Sequence, residues 1–198
     1  TLATTGGGGP SSAHPLRAGK GWCFEGGIRV PLIIRDPKAT ANGKPCSVPV
    51  YAEDYYPTIM ERVGAKMPKG QGLDGMSLNG LLNGKKAVER TEPMVWHYPR
   101  YHGSRHVPSS AIREGDWKLV DNYHLEKQFL FNLKEDIGEK KNLVESNPKK
   151  AAELHKKLHD YLKKIGAGMT TKNPDYNPKA VAPPKKKKDK KTKDKPKK

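Results

Sequence analysis

The chemistry in this sequence is concentrated in "HPLRAGKGWCFEGGIRVPLIIR", residues 14–35, where one lysine, Lys20, stands between Gly19 and Gly21. Glycines on both sides let the backbone approach a bound group closely, and the ammonium offers a compact charge to a tetrahedral oxyanion. Glu25 and Arg29 follow just downstream and are placed to pair with each other and fix the turn. Taken alone, the position also suits a surface lysine in a flexible loop. A phosphate-binding loop is excluded, because G-x-x-x-x-G-K-[ST] requires glycine where His14 stands and serine or threonine where Gly21 stands. Metal chemistry has no motif to rest on. Cys23 and Cys46 fit no metal spacing, although two cysteines allow a disulfide. His97, His102 and His106, with Pro99 among them, are not spaced as a zinc-binding helix or knuckle requires.

These residues need elements to hold them. "IRVPLIIR", residues 28–35, is a short apolar run rich in β-branched residues and predicts a buried strand, with Pro31 pointing to an edge or a bulge. A surface turn follows, with Asn42-Gly43 supplying the left-handed position. "DYYPTIMERVGA" predicts a helix with Asp54 as N-cap, Pro57 in the first turn and Gly64 at its end. Tyr56, Ile59, Met60 and Val63 share one face of that helix. "LDGMSLNGLLNGK" reads as a loop with at most one helical turn. "MVWHYP", "SAIREGDWKLV" and "QFLFNL" alternate as strands between turn signals and predict a small antiparallel meander. "NPKKAAELHKKLHDYLKKIG" predicts the main helix, with Asn147 as N-cap, Pro148 at its first position and Gly166 just past its end. Its apolar stripe is Ala151, Leu154, Leu158, Tyr161, Leu162 and Ile165, and its lysines face water.

Composition limits what 198 residues can do here. A hydrophobic fraction of 34% and a mean hydropathy of -0.86 are low for a self-sufficient core, so part of the chain is expected to be unfolded or to lean on something larger. The net charge of +17 suggests a polyanion at first. Yet +9 of it sits in residues 179–198, eleven lysines against two aspartates, which argues against a folded nucleic-acid surface. That tail has no apolar periodicity and is expected to be disordered, either as a solvated extension or as a polyanion-binding appendage. No apolar run is long enough to span a membrane. The glycine-rich start lacks the basic and apolar regions of a signal peptide, and running straight into a predicted strand it suggests a chain that begins within a larger protein.

The motifs, taken in order, resemble one family. "LRAGKGWCFEGGIRVPLIIR" resembles the G-K-G-x-x-x-E-G-G-x-R-x-P signature of the type I sulfatases, the arylsulfatase branch of the alkaline-phosphatase-like superfamily. "DYYPTIMERVGA", "LDGMSLNGLLNG", "VWHYPRYH", "SAIREGDWKLV", "FLFNLKEDIGEKKNL" and the last helix resemble later blocks of the same family, over about residues 14–178.

The resemblance implies an α/β, alkaline-phosphatase-like fold. Residues 1–90 would be the end of the catalytic domain, 91–178 a C-terminal subdomain of small antiparallel sheet packed by one helix, and 179–198 the lysine-rich tail. It implies hydrolysis of a sulfate ester by a formylglycine nucleophile beside a calcium ion, with cations neutralising the sulfate oxygens. By motif position Lys20 would contact the sulfate and favour departure of the leaving oxygen. The formylglycine precursor lies in a C/S-x-P-S-R motif, and neither Cys23-Phe-Glu-Gly-Gly nor Cys46-Ser-Val-Pro-Val supplies one. The family's calcium carboxylates belong to its N-terminal part. The chain is therefore expected to be a C-terminal portion that is inactive alone and has the missing N-terminal part as its partner. Export to the periplasm or outside the cell is expected of the full-length family protein.

The resemblance also puts "WHYPRYHGSRH" above the active site. His97, Arg100 and His102 would contact the substrate, a sulfated carbohydrate or an aryl sulfate ester, since Arg offers a fixed fork of donors to carboxylate or sulfate. The alternative is a satisfied, half-buried His97 and a surface loop. Trp96 and Trp117 are expected in the core rather than under a sugar. The competing function is a non-catalytic basic module that binds nucleic acid or another polyanion, with a steep salt dependence.

Overall fold

The structure is a computed structural model. It describes residues 12–177 except 42, 44, 71, 86–89, 91, 102–105, 172 and 176, so Asn42, His102 and the tail at 179–198 lie outside the described residues.

Four strands form an antiparallel meander in the order β1 (Met94–Tyr98), β2 (Ser109–Glu114), β3 (Trp117–Asn122) and β4 (Lys127–Asn132). A turn at Gly115-Asp116, within the segment "SAIREGDWKLV", joins β2 to β3, with Gly115 at φ 59. Side chains alternate across a strand, so register decides which residues share a face. Ile112, Leu119 and Leu130 stand side by side on one face, and Ala111, Val120 and Phe129 on the other.

The first face is covered by α4 (Pro148–Lys164), through Ala151, Leu154, Leu158 and Leu162. This is the predicted main helix, and it ends as its sequence requires. Gly166 takes φ 65 and its N–H donates to the Lys163 carbonyl, while the Ala167 N–H donates to the Leu162 carbonyl. That pair of bonds is a Schellman closure. A Cβ on Gly166 would meet no atom, so Gly166→Ala carries only the left-handed penalty. We expect a loss of about 1 kcal/mol, read as a lower thermal unfolding midpoint.

The second face is covered by the chain's beginning. Ala18, Trp22, Cys23 and Phe24 pack on Ala111, Val120, Phe129 and Phe131, with Trp96 and Ile137 at the margin. Trp117 packs against the α4 side, so both tryptophans belong to the core as expected. The cysteines are free, Cys23 buried and Cys46 exposed.

Between residues 28 and 94 the chain forms α2 (Tyr55–Arg62) behind a short 3₁₀ turn at Ala52–Asp54, and the single helical turn α3 (Asn79–Leu82). Asp54 precedes α2 as predicted, but its carboxylate does not cap the helix. It accepts from the Tyr51 N–H at 2.7 Å, the Met76 N–H at 2.9 Å and Arg90 at 2.6 Å, pinning three segments together. One expectation fails here. Residues 28–35 form no strand, and Val30 and Ile33 are 77% and 92% exposed, because no strand of the described chain lies beside them. The face of α2 carrying Tyr56, Ile59 and Val63 is likewise exposed, while Pro57 and Thr58 are buried.

No helix among the described residues is long and apolar enough to cross a membrane.

Candidate functional site

Lys20 lies on the turn between the start of the described chain and α1 (Glu25–Ile28), a single helical turn. The glycines around it act through close packing more than through mobility. A Cβ on Gly27 would stand 2.1 Å from the Trp22 carbonyl oxygen and 2.5 Å from that of Gly19; one on Gly26 would stand 2.4 Å from the Arg17 oxygen. The Gly26 N–H donates to that Arg17 oxygen at 2.8 Å, and the Trp22 N–H to Gly19 at 3.1 Å. The Gly26-Gly27 pair therefore lets α1 lie directly against the Lys20 turn. Gly21 takes φ 90, which the turn needs and other residues resist. Gly27→Ala is expected to cost about 1–3 kcal/mol, because backbone rather than a side-chain tip must move. Urea denaturation would measure it.

Beneath this turn lies an ionic cluster that the sequence did not announce. Glu25, 2% exposed, sits 2.9 Å from the fully buried Lys118 Nζ, which also lies 2.9 Å from Glu139 Oε1. Glu139 closes the ring by accepting the Glu25 backbone N–H at 2.7 Å. It does so from a left-handed backbone, φ 51, which a glutamate adopts only where its surroundings hold it. Burial pushes the Glu139 carboxyl above the usual carboxylate range, against the pull of Lys118. Arg17 lies over the Phe24 ring at 4.1 Å and donates to the Glu139 carbonyl at 2.8 Å. The expected Glu25–Arg29 contact exists at 3.6 Å, but Arg29 is half-exposed and the nearer partner of Glu25 is Lys118. α1 is thus held to β3 from behind.

In front of it Lys20 is exposed and has no hydrogen-bond or ion-pair partner among the described residues. An ammonium in that position is free to take an anion.

The remaining expected residues are not gathered around it. His97 lies in β1 opposite Ser110, in the row shared with Asp121, which is the α4 side of the sheet; the Lys20 turn packs on the other side. Both of its ring nitrogens are engaged, Nδ1 with Ser110 Oγ at 2.6 Å and Nε2 with the Gly168 carbonyl at 2.9 Å. The expectation that His97 touches substrate thus meets a ring already committed to joining β1, β2 and the segment after α4. Arg100 is exposed on the bend after β1. His102 lies outside the described residues.

The cofactors implied by the resemblance do not fit the residues present. Cys23 is packed in the core, its Sγ 3.8 Å from the Ser109 carbonyl, and burial pushes its thiol up. The one cluster of potential metal ligands among the described residues is Asp121 with His155 and His159, whose imidazoles are unlike a calcium set of oxygen donors.

Comparison with known proteins places the chain in a family. Residues 18–167 match the family described as N-sulphoglucosamine sulphohydrolase, C-terminal. A sulfatase of Formosa agariphila is 38% identical over 181 residues, covering 83% of this chain and 33% of the relative. Arylsulfatase K of Danio rerio is 33% identical over 140 residues, covering 68% and 26%. The crystal structure of Ps i-CgsB in complex with k-i-k-neocarrahexaose superposes with a TM-score of 0.65 at 32% identity, covering 75% of this chain and 32% of that one. The chain spans about a third or less of the length of these relatives. Its four-stranded sheet and helix are the smaller antiparallel part of an alkaline-phosphatase-like architecture. The chain belongs to the sulfatase family, and the span it matches is that family's C-terminal portion.

Proposed function

We propose that the intact protein is a sulfuric ester hydrolase, that its substrate is a sulfated carbohydrate, and that Lys20 binds the sulfate group. One observation carries this reading: an exposed lysine, without a partner among the described residues, on a turn that is locked from behind by Glu25, Lys118 and Glu139. Such a mount fixes the backbone from which the ammonium reaches the sulfate oxygens, where its charge can stabilise charge that develops during transfer. The k-i-k-neocarrahexaose named with Ps i-CgsB favours a carbohydrate over an aryl sulfate ester, the other substrate considered. Under this reading the formylglycine and the calcium ligands come from the N-terminal part of the enzyme, and Arg100 and His102 contact the sugar from the loop after β1. His97 holds the base of that loop. The protein would work in the periplasm or outside the cell, where such polymers are found.

Inorganic sulfate release decides the matter. The intact protein should release sulfate from at least one member of a panel of sulfated oligosaccharides and aryl sulfates, and residues 1–198 alone should release none. An intact protein that is silent on the whole panel overturns the reading. The rival function, a basic polyanion-binding module, draws on the lysine-rich tail. It would show instead as nucleic-acid or heparin affinity that falls steeply with salt and survives Lys20→Ala.

A further inference from the structure

On the side of the sheet opposite the Lys20 turn, two imidazoles and a carboxylate converge. Asp121 lies two residues from Leu119 in β3 and therefore points to the same α4-covered side. His155 and His159 stand one helical turn apart on α4, next in sequence to the buried Leu154 and Leu158, which sets them at the edge of the packed stripe. Both Nε2 atoms approach the same oxygen, Asp121 Oδ2, at 3.3 Å from His155 and 2.8 Å from His159. The imidazole centroids are 4.3 Å apart, and the three ligand atoms all lie within 4.8 Å of one another.

The geometry points to a site for a divalent transition metal, zinc in chemical class, held by His155, His159 and Asp121. Ligand atoms of a tetrahedral zinc at about 2.0–2.1 Å from the metal are about 3.3 Å apart. The His155–Asp121 contact already has that separation; the His159–Asp121 pair must open by about half an ångström, and the two imidazole nitrogens, within 4.8 Å of each other, must settle at the same spacing. Two imidazoles four residues apart on a helix, with a carboxylate from the facing strand, form a mixed nitrogen and oxygen set that zinc accepts and calcium does not. In the free chain the His159 Nε2–H donates to Asp121 Oδ2; on binding, each ring must present its Nε2 lone pair to the metal, so a proton on Nε2 moves to Nδ1 or, from a doubly protonated ring, is released to solvent. The aspartate is 11% exposed and the histidines 37%, so the three protein ligands are reachable from solvent and a water completes the fourth position. Bound there, the ion would cross-link α4 to β3. Neither Lys20 nor the sulfatase reading enters this argument.

The test uses the 198-residue chain carrying Cys46→Ser, so that the exposed thiol cannot contribute, stripped of metal by EDTA and dialysed. Isothermal titration with zinc chloride should give one ion per chain, and cobalt should give the visible bands of a tetrahedral site. His155→Ala and His159→Ala should each weaken zinc at least tenfold, as should Asp121→Asn, with far-ultraviolet circular dichroism unchanged. Should a variant unfold, the histidine ring signals of the unsubstituted chain answer instead: zinc should move those of His155 and His159 ahead of the others. No binding up to millimolar zinc, affinity retained by either alanine variant, or ring signals of His155 and His159 that stay in place would overturn the site.

Discussion

Lys118→Met should destabilise the protein by about 3–5 kcal/mol, the range for removing one partner of a buried ion pair. The variant keeps the stem of the side chain and removes the ammonium, leaving the buried Glu139 without its cation and Glu25 with only the more distant Arg29 and Arg113, at 3.6 and 3.9 Å. The loss should depend on pH, with a definite sign. The Glu139 carboxyl is already held above its ordinary value by burial, so the folded state keeps a proton at a pH where the unfolded chain has released it. Stability from this group is therefore fullest below the unfolded carboxyl value and declines as pH rises through the folded one. Without Lys118 the folded value rises further, so the Lys118→Met deficit should be smaller at pH 5 than at pH 8. Urea denaturation at the two pH values measures it. Equal deficits would mean that Lys118 acts through packing alone. Adding Glu139→Gln should recover part of the loss, because the amide carries no charge to desolvate.

Under the proposed function, Lys20→Ala in the intact protein should lower sulfate release by about 10²–10³-fold, the range for removing one donor to a developing oxyanion. The unfolding midpoint should not move, since Lys20 is exposed and its ammonium has no partner among the described residues to lose. Lys20→Arg should recover little. The planar guanidinium is longer and broader than the ammonium, and the turn it would stand on is packed carbonyl to glycine with no slack. Steady-state sulfate release, read beside thermal unfolding, separates this from a structural role. A variant that keeps its turnover sinks the assignment of Lys20 to sulfate.

The meander and α4 were legible in the sequence because their information is local. Period-2 alternation marks β1–β4, and Pro148, the stripe from Ala151 to Leu162 and Gly166 delimit α4 without reference to anything distant. Residues 28–35 were misread for the complementary reason. Branched apolar residues license a strand, but a strand exists only beside another, and none of the described chain runs there. The exposed apolar face of α2 shows the same limit: periodicity shows that a face is fit to be covered, not that the described chain covers it. Of the candidate site, the Gly19-Lys20-Gly21 pattern was visible and its support was not. Lys118 reads as a surface lysine between Trp117 and Leu119, and its acidic partner Glu25 lies 93 residues away. The alternation that puts Val120 in the core also puts Lys118 there, and that was the available signal. The pair His155 and His159 was passed over inside a lysine-rich helix because its third member, Asp121, comes from another element.

The long reach of the Lys118 cluster bears on the order in which the molecule assembles. Neighbouring strands of the meander are joined by short connections from β2 onward, and low sequence separation speeds folding. Docking of the Lys20 turn must instead close loops of 93 residues to Lys118 and 114 to Glu139, an entropic cost met before any contact rewards it. The sheet and α4 should therefore form the folding nucleus, and the turn should join after the rate-limiting step. In stopped-flow kinetics Lys118→Met should then accelerate unfolding while leaving the refolding rate nearly unchanged. The part of the molecule that carries Lys20 would be the last to arrive and the first to leave.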